Sequence, residues 1–575
     1  MRFNFKILSL LIFLTPVPST TFAEETPIIS FNKRFNPQIA RHGMVASQEK
    51  IATEVGLAIL RQGGNAIDAA VAVGFTLAVT FPQAGNLGGG GFMLVYLADK
   101  NKTFVIDYRE AAPQGAFRQL FLNPDGSVNN TKSRYSYLSA GIPGTVAGLT
   151  KALNDYGTMS LKQVIGPAIK LATKGFIVSY ALQHSFSARK DFLSRHADSK
   201  KIFLKADGTI YQAGDRFIQS DLGKSLKQIK KHGAKAFYQG AIAKKIVAAM
   251  ADNDGLINTS DLNNYKVIER KPVTGTYKQY TIASMPPPSS GGVHLLQMLN
   301  TLETIDLKKH GHNSAQTLHL YIESMRQAYA DRSKYLGDPD FSNVPVAALI
   351  SQSYADKIRA QIPWDHARSS AQIAPALEAL TESNNTTHFS VMDQYGNVVS
   401  NTYTLNFSYG SGIVVPGTGI LLNNEMDDFS AKPGSANAYG LIGGEANAIE
   451  AGKRPLSSMT PTIVFENNKP LLATGSPGGS TIITAVLQTL LNVMAFDMNI
   501  AEATTAPRIH HQWFPDNVEV ESGISPDTIT LLENMGHQII EGKRALGSTQ
   551  SIMAKEGYFY GFSDTRRPGA STAGY

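Results

Sequence analysis

At residue 386 the chain changes character within one position. Residues 365–385 are rich in Ala, Ser, Pro and polar side chains and show little apolar period, the composition of a loop or flexible linker. From Thr386 onward the pattern is regular. Thr386-Thr387-His388-Phe389-Ser390-Val391-Met392-Asp393 reads as a strand, Gln394-Tyr395-Gly396-Asn397 as a turn, and 398–406 as a second strand. A strand that begins where a flexible segment ends is also a natural cut site. A hydroxyl residue there can attack its own preceding carbonyl, and hydrolysis of the resulting ester frees the α-amine of Thr386. A threonine hydroxyl is a poor nucleophile until a base takes its proton. An α-amine, titrating near pH 7.7–8.0, can be that base from within the same residue. The β-propensity of threonine explains the same letters with no chemistry at all, so local pattern leaves both readings open.

The first residues differ in kind. Arg2 and Lys6, the apolar run 7–13, Pro16, Pro18 and Thr21-Phe22-Ala23 follow the order of a cleavable secretory signal, expected to end after Ala23. A periplasmic or secreted location is the expectation. The chain has no cysteine, which excludes disulfides, thiol catalysis and zinc–thiolate sites. The formal charge of +7 falls to +5 without Arg2 and Lys6, and the remaining basic residues are dispersed without interleaved aromatics, so nucleic acid is not an expected partner. The longest apolar stretch, 66–80, falls short of the ~18 to 20 residues a membrane span requires and reads as a buried helix.

Along the body, 47–61 reads as an amphipathic helix ended by Gly63-Gly64, and Asn65 is placed to cap a second helix over 66–79. Four consecutive glycines, Gly88 to Gly91, imply a backbone that passes close to something else. Their spacing is not Gly-x-Gly-x-x-Gly and no Gly-Lys-Ser/Thr follows, so a phosphate loop is not supported. The middle, 160–330, reads as mostly helical, with periodic segments at 161–174, 221–232 and 241–250, and a long helix over 314–335. His310 and His312 lack further ligands at helical spacing and read as loop residues, with no metal site.

Several separated motifs share one resemblance. Asn385-Thr386-Thr387-His388-Phe389-Ser390, Thr402-Tyr403-Thr404-Leu405-Asn406, Leu422 to Phe429, Arg454 to Pro461 and Gly475-Ser476-Pro477-Gly478-Gly479 resemble the γ-glutamyltranspeptidase family of N-terminal-nucleophile hydrolases, especially its bacterial periplasmic members. Upstream, Gly63-Gly64-Asn65-Ala66, Gly88 to Gly91 and Asp107-Tyr108-Arg109-Glu110 extend it in order over nearly the whole mature chain. The resemblance implies an α+β fold, an αββα four-layer sandwich with a helix-rich large part. It implies a cut between Asn385 and Thr386, giving a large subunit, 24–385, and a small subunit, 386–575, that associate as one folded heterodimer.

The implied roles fall on matching residues. Thr386 is the nucleophile, Thr404 orients its hydroxyl, and Gly478 and Gly479 offer N–H groups to the oxyanion. Arg109 anchors the donor's α-carboxylate with Ser457 and Ser458, while Glu425 and Asp428, helped by Asn406, face its α-ammonium. The loop 433–444 is a lid carrying Tyr439. The donor would be glutathione or another γ-glutamyl compound, the acceptor water, an amino acid or a dipeptide, and no metal or organic cofactor is implied. One cation, two anions, two serines and a nucleophile match a γ-glutamyl group's own charges, a physical argument that stands beside the resemblance. The rivals are a cephalosporin or glutaryl acylase of the same fold and an inactive binding homologue. Thr481 and Arg566-Arg567 depart from the family's usual residues.

Overall fold

Alternation along the strands builds this molecule. The computed structural model describes residues 34–373, 386–542 and 544–575. The chain divides into two units, Met1–Phe35 and Asn36–Tyr575. The expected signal segment, 1–23, and Asn385 at the expected cut lie outside the described residues. In the second unit, Met44 and Ala46 of the strand Gly43–Ser47 face one core while Val45 faces another. Phe92 and Leu94 divide from Met93 and Val95 in the same way. Ile463 joins the first core too, but its neighbour Val464 faces a third. Strands buried on both faces need cover on both sides.

Two seven-stranded sheets supply that architecture. One runs, edge to edge, Ser571–Gly574, Gly43–Ser47, Thr387–Asp393, Val398–Thr404, Gly90–Leu97, Lys102–Tyr108, Ile268–Arg270. The other runs Gln38–Ala40, Tyr558–Ser563, Gln550–Lys555, Lys469–Thr474, Thr462–Glu466, Tyr280–Ser284, Val273–Tyr277. Every pairing in both is antiparallel. Phe92, Leu94, Ile463, Ala473 and Ile552 fill the space between the sheets. Helices Lys50–Arg61 and Ala66–Thr80 cover the outer face of the first sheet, packing on Phe389, Val391 and Tyr403. Helices Gly291–Leu302, Ala315–Tyr335 and Thr481–Met494 cover the second through Ile282, Val464 and Leu472. This is the expected αββα sandwich. In both sheets, strands from before and after position 386 are interleaved.

The helix Ala66–Thr80 is buried at every position, as its apolar run requires, and Asn65 with Asp68 forms a capping box at its start. Three expectations change. The helix expected over 47–61 begins at Lys50, because Ser47 completes a strand and Glu49 accepts the N–H groups of Ile51 and Ala52 as its cap. The segment 161–174 forms two helices, Leu161–Val164 and Gly166–Lys174, the second carrying proline in its first turn. The helical reading of 160–330 also missed three strands between Ile268 and Ser284. The last two form a hairpin whose turn contains Lys278 at φ 51°, without the Asn-Gly signal that marks such turns. Within the expected linker, Ser370–Ile373 is a short helix.

Candidate active site

Pairing register brings the first threonine to its partner. Thr387 lies opposite Tyr403, so Thr386 reaches the end of the neighbouring strand at Thr404. The two hydroxyls are 3.2 Å apart, and Thr404 Oγ1 also accepts the N–H of Asn406 at 2.8 Å. The Thr404 carbonyl accepts Asn86 Nδ2 at 2.8 Å, so this residue is held at both side chain and backbone. The four glycines are required by close backbone approaches: a Cβ on Gly88 would lie 2.1 Å from Leu421 O. A Cβ on Gly89 would lie 2.0 Å from Thr404 O, one on Gly90 2.5 Å from Tyr108 O, and one on Gly91 2.4 Å from Tyr403 Cβ. Thr386 is 4% exposed. Thr387 is buried too but does not line the cavity that Thr386 enters.

That cavity is lined by Arg109, Thr386, Thr404, Asn406, Glu425, Asp428, Tyr439, Ser457, Ser458 and Gly479. Of the eleven residues expected at the site, only Gly478 does not line it. Gly478 (φ 137°) and Gly479 (φ 57°) turn the chain into the helix Thr481–Met494 in conformations that side chains disfavour. Both lie just ahead of the N-cap Ser480, beside the positive end of the helix dipole, which favours negative charge nearby. Thr481, one of the departures, closes this turn: its hydroxyl donates to Gly478 O at 2.8 Å.

The opposite end is charged. Arg109 donates through Nε to Pro455 O at 3.2 Å and through Nη2 to Asp428 at 2.5 Å, and Nη1 pairs with Glu425. Glu110 stands 3.7 Å from the same guanidinium. The expected carboxylate anchor is therefore paired with the two acids expected to face the ammonium. Burial pushes the Glu110 carboxyl up to about 7 against the pull of Arg109. Burial raises Glu425 as well, again opposed by Arg109 and reinforced by Glu110 and Asp428. The main-chain carbonyl of Ser457 accepts Ser290 N at 2.9 Å and Ser290 Oγ at 3.0 Å, which fixes the serine pair beside Arg109.

Tyr439 is buried and lines the cavity. Its hydroxyl donates to Asn406 O at 2.8 Å and also meets Asn406 Oδ1. The loop is braced internally by Asn437 Oδ1, which accepts the N–H groups of Tyr439 at 2.9 Å and Leu441 at 3.2 Å. Asn406 itself sits at φ 74° and donates to Asn424 O at 2.9 Å.

Sequence reasoning missed Arg332, Leu441, Leu456, Met459 and Ile482, which also line the cavity, and gave no role to Glu110. The signal for Arg332 was faint: it lies near the end of a helix that is buried over most of its length yet keeps Arg326, Asp331 and Arg332 inside. Among the described residues, His319, Glu323 and His537 place possible metal ligand atoms within 4.8 Å of one another. Those atoms have partners: the two rings meet at 2.8 Å, His319 Nε2 faces Pro363 O, and Glu323 pairs with Arg326 and Arg368. Two guanidiniums beside the carboxylate oppose a cation there. Arg566, the other departure, pairs with Glu521 and caps the helix Ile500–Thr505 through the carbonyls of Thr504 and Ala506.

The sequence model of the family described as gamma-glutamyltranspeptidase matches residues 52–574. The chain is 52% identical over 562 residues to the glutathione hydrolase proenzyme of Escherichia coli K12, covering 97% of this chain and 95% of that one. The crystal structure of Helicobacter pylori gamma-glutamyltranspeptidase is 47% identical with a TM-score of 0.57, over 60% of this chain and 97% of that one. The cephalosporin acylase of Bacillus halodurans aligns with a TM-score of 0.83 at 26% identity, over 96% of this chain and 99% of that one.

Proposed function

Because the chain belongs to the γ-glutamyltranspeptidase family, we propose that it cleaves the γ-glutamyl amide of glutathione and passes the γ-glutamyl group to water or to an amine, with Thr386 as the nucleophile. The observation that carries this reading is one cavity holding the Thr386–Thr404 hydroxyl pair at one end and groups of both charge signs at the other. The proenzyme would lose 1–23 on export and cut itself between Asn385 and Thr386. The cut before Thr386 needs no second protein, since its own hydroxyl attacks the preceding carbonyl, and the products 24–385 and 386–575 stay together as one body.

In the first half-reaction Thr386 Oγ1 attacks the γ-carbonyl carbon and its proton passes to the newly freed α-amine of the same residue. The oxyanion is placed toward the N–H groups of Gly478 and Gly479. Collapse breaks the C–N bond, the departing amine of Cys-Gly takes the proton, and an ester to Thr386 remains. Water or an amino acid or dipeptide amine then attacks that ester. The closed Tyr439 loop limits bulk water at this stage.

The likeness to a cephalosporin acylase supports the fold and the nucleophile but not the substrate. Glutaryl and related acyl groups lack the α-ammonium, which would leave Glu425 and Asp428 no cation to face other than the protein's own guanidiniums. Rates on γ-glutamyl-p-nitroanilide and glutaryl-p-nitroanilide decide between the two, and preference for the glutaryl donor overturns the proposal. A start at Thr386 in the smaller chain tests the cut. A purified protein that stays a single chain and frees no glutamate from glutathione is the inactive homologue instead.

A further inference from the structure

The charged end of the cavity holds more acids than one guanidinium can serve. Arg109 already meets Glu425, Asp428 and Pro455 O, with Glu110 3.7 Å away. An incoming γ-glutamyl group brings an ammonium that the acids can accept. It also brings a carboxylate, which would enter a space where three acids share Arg109. With both its terminal nitrogens already engaged by Glu425 and Asp428, Arg109 alone has little left to offer that carboxylate.

Arg332 supplies the missing charge. It lies near the end of the helix Ala315–Tyr335, is buried, and lines the same cavity. Its Nε donates to Ser290 Oγ at 3.1 Å and its Nη2 reaches Ser458 Oγ at 3.5 Å. No carboxylate among the described residues lies within ion-pair distance of it. One turn earlier Tyr329 donates to Ser480 O, so this helix face is fixed against both the charged end and the turn that presents Gly479. A buried guanidinium whose hydrogen-bond partners are hydroxyls keeps much of its desolvation cost, which Asp428 offsets only through space and an anion in the cavity would offset further. Ser457 Oγ accepts Met459 N–H at 3.1 Å, an arrangement that leaves its proton to donate toward the same anion. Burial lowers the Arg332 guanidinium to about 10, still charged at neutral pH. With burial favouring the protonated form of Glu110 and Glu425, two guanidiniums face mainly Asp428, which leaves this end of the cavity net positive, as an incoming carboxylate requires.

We propose that Arg332 is a second guanidinium for the donor's α-carboxylate, acting with Arg109, Ser457 and Ser458, and so a specificity determinant for donors that carry that group. The inference rests on the γ-glutamyl reading of the cavity.

The test compares γ-glutamyl-p-nitroanilide with 4-aminobutyryl-p-nitroanilide, which differ only in the α-carboxylate. Binding is read as KM, or as an inhibition constant against the γ-glutamyl donor where turnover is slow. Arg332→Gln should weaken the γ-glutamyl donor by about 10- to 100-fold, the worth of a lost charge-assisted contact, and the 4-aminobutyryl donor by less than about threefold. Arg332→Lys, which keeps charge and loses the fork, should fall between the wild type and Arg332→Gln on the first donor only. Equal losses on both donors overturn the inference, because a residue that merely holds Ser290 and Ser458 would affect them alike. Failure of both variants to fold overturns it too, by making Arg332 structural. A wild-type protein inactive on γ-glutamyl-p-nitroanilide is a separate result: it removes the γ-glutamyl reading itself.

Discussion

At one end of the cavity Thr386, Thr404 and Gly479 carry no ionisable side chain and are placed by backbone: strand register, a glycine turn, and hydrogen bonds from Asn86 and Asn406. At the other end Arg109, Glu425, Asp428 and Arg332 are all ionisable, and most are held by one another. The first end has one arrangement, set before any substrate arrives. The second stores its charges in internal pairs that a zwitterion must exchange. Damage at the threonine end should therefore fall on turnover, and damage at the charged end on donor binding.

The largest test of that division is Thr386→Ala, which should abolish both cutting and turnover, a loss of at least about 10⁴-fold in rate. Gel analysis for the smaller chain and p-nitroaniline release report the two together, and a cut, active variant would move the nucleophile elsewhere. Next comes Arg109→Lys, which loses the bidentate fork and should raise the donor KM roughly 10- to 100-fold with little change in kcat. An unchanged KM would remove Arg109 from recognition. Thr404→Val keeps the branched shape but not the hydroxyl, and should lower kcat about tenfold while leaving KM alone. A rise in KM instead would blur the two ends.

The smallest effect concerns pH. The folded protein holds the Glu110 proton up to about pH 7, against the ordinary 4.5 of the unfolded chain. Its stabilising contribution is full below pH 4.5 and is lost as pH rises through about 7. Glu110→Gln removes that dependence, so its melting temperature relative to wild type should be higher at pH 8 than at pH 5, by about 1–2 °C. A difference that does not change with pH would mean that Glu110 is ionised throughout.

The threonine end was the more legible in sequence because its demands are local. Gly88 to Gly91, Gly478-Gly479 and the abrupt start at Thr386 are written into neighbouring residues, since each meets a backbone constraint that only certain side chains satisfy. The charged end depends on encounters across hundreds of residues. Arg109 and Glu425 are 316 positions apart, and nothing local says that they pair with each other before they meet substrate. The signal for Arg332 was faint for the same reason: on a helix buried nearly all round, burial does not separate core packing from a cavity wall. The hairpin Val273–Tyr277 and Tyr280–Ser284 was missed because its strands are short and its turn lacks the usual residues.

The interleaving of strands around position 386 bears on how such a protein can be recombined. Segments from before and after that position meet along three ladders in one sheet and two in the other. The stretch after 386 is therefore no cassette. A chimaera joining the front of one relative to the back of another would inherit five mismatched ladders at once, whereas a swap confined to the 433–444 loop would disturb none. Crossovers that preserve function should thus cluster in surface segments, and lineages of this fold should inherit the two parts together.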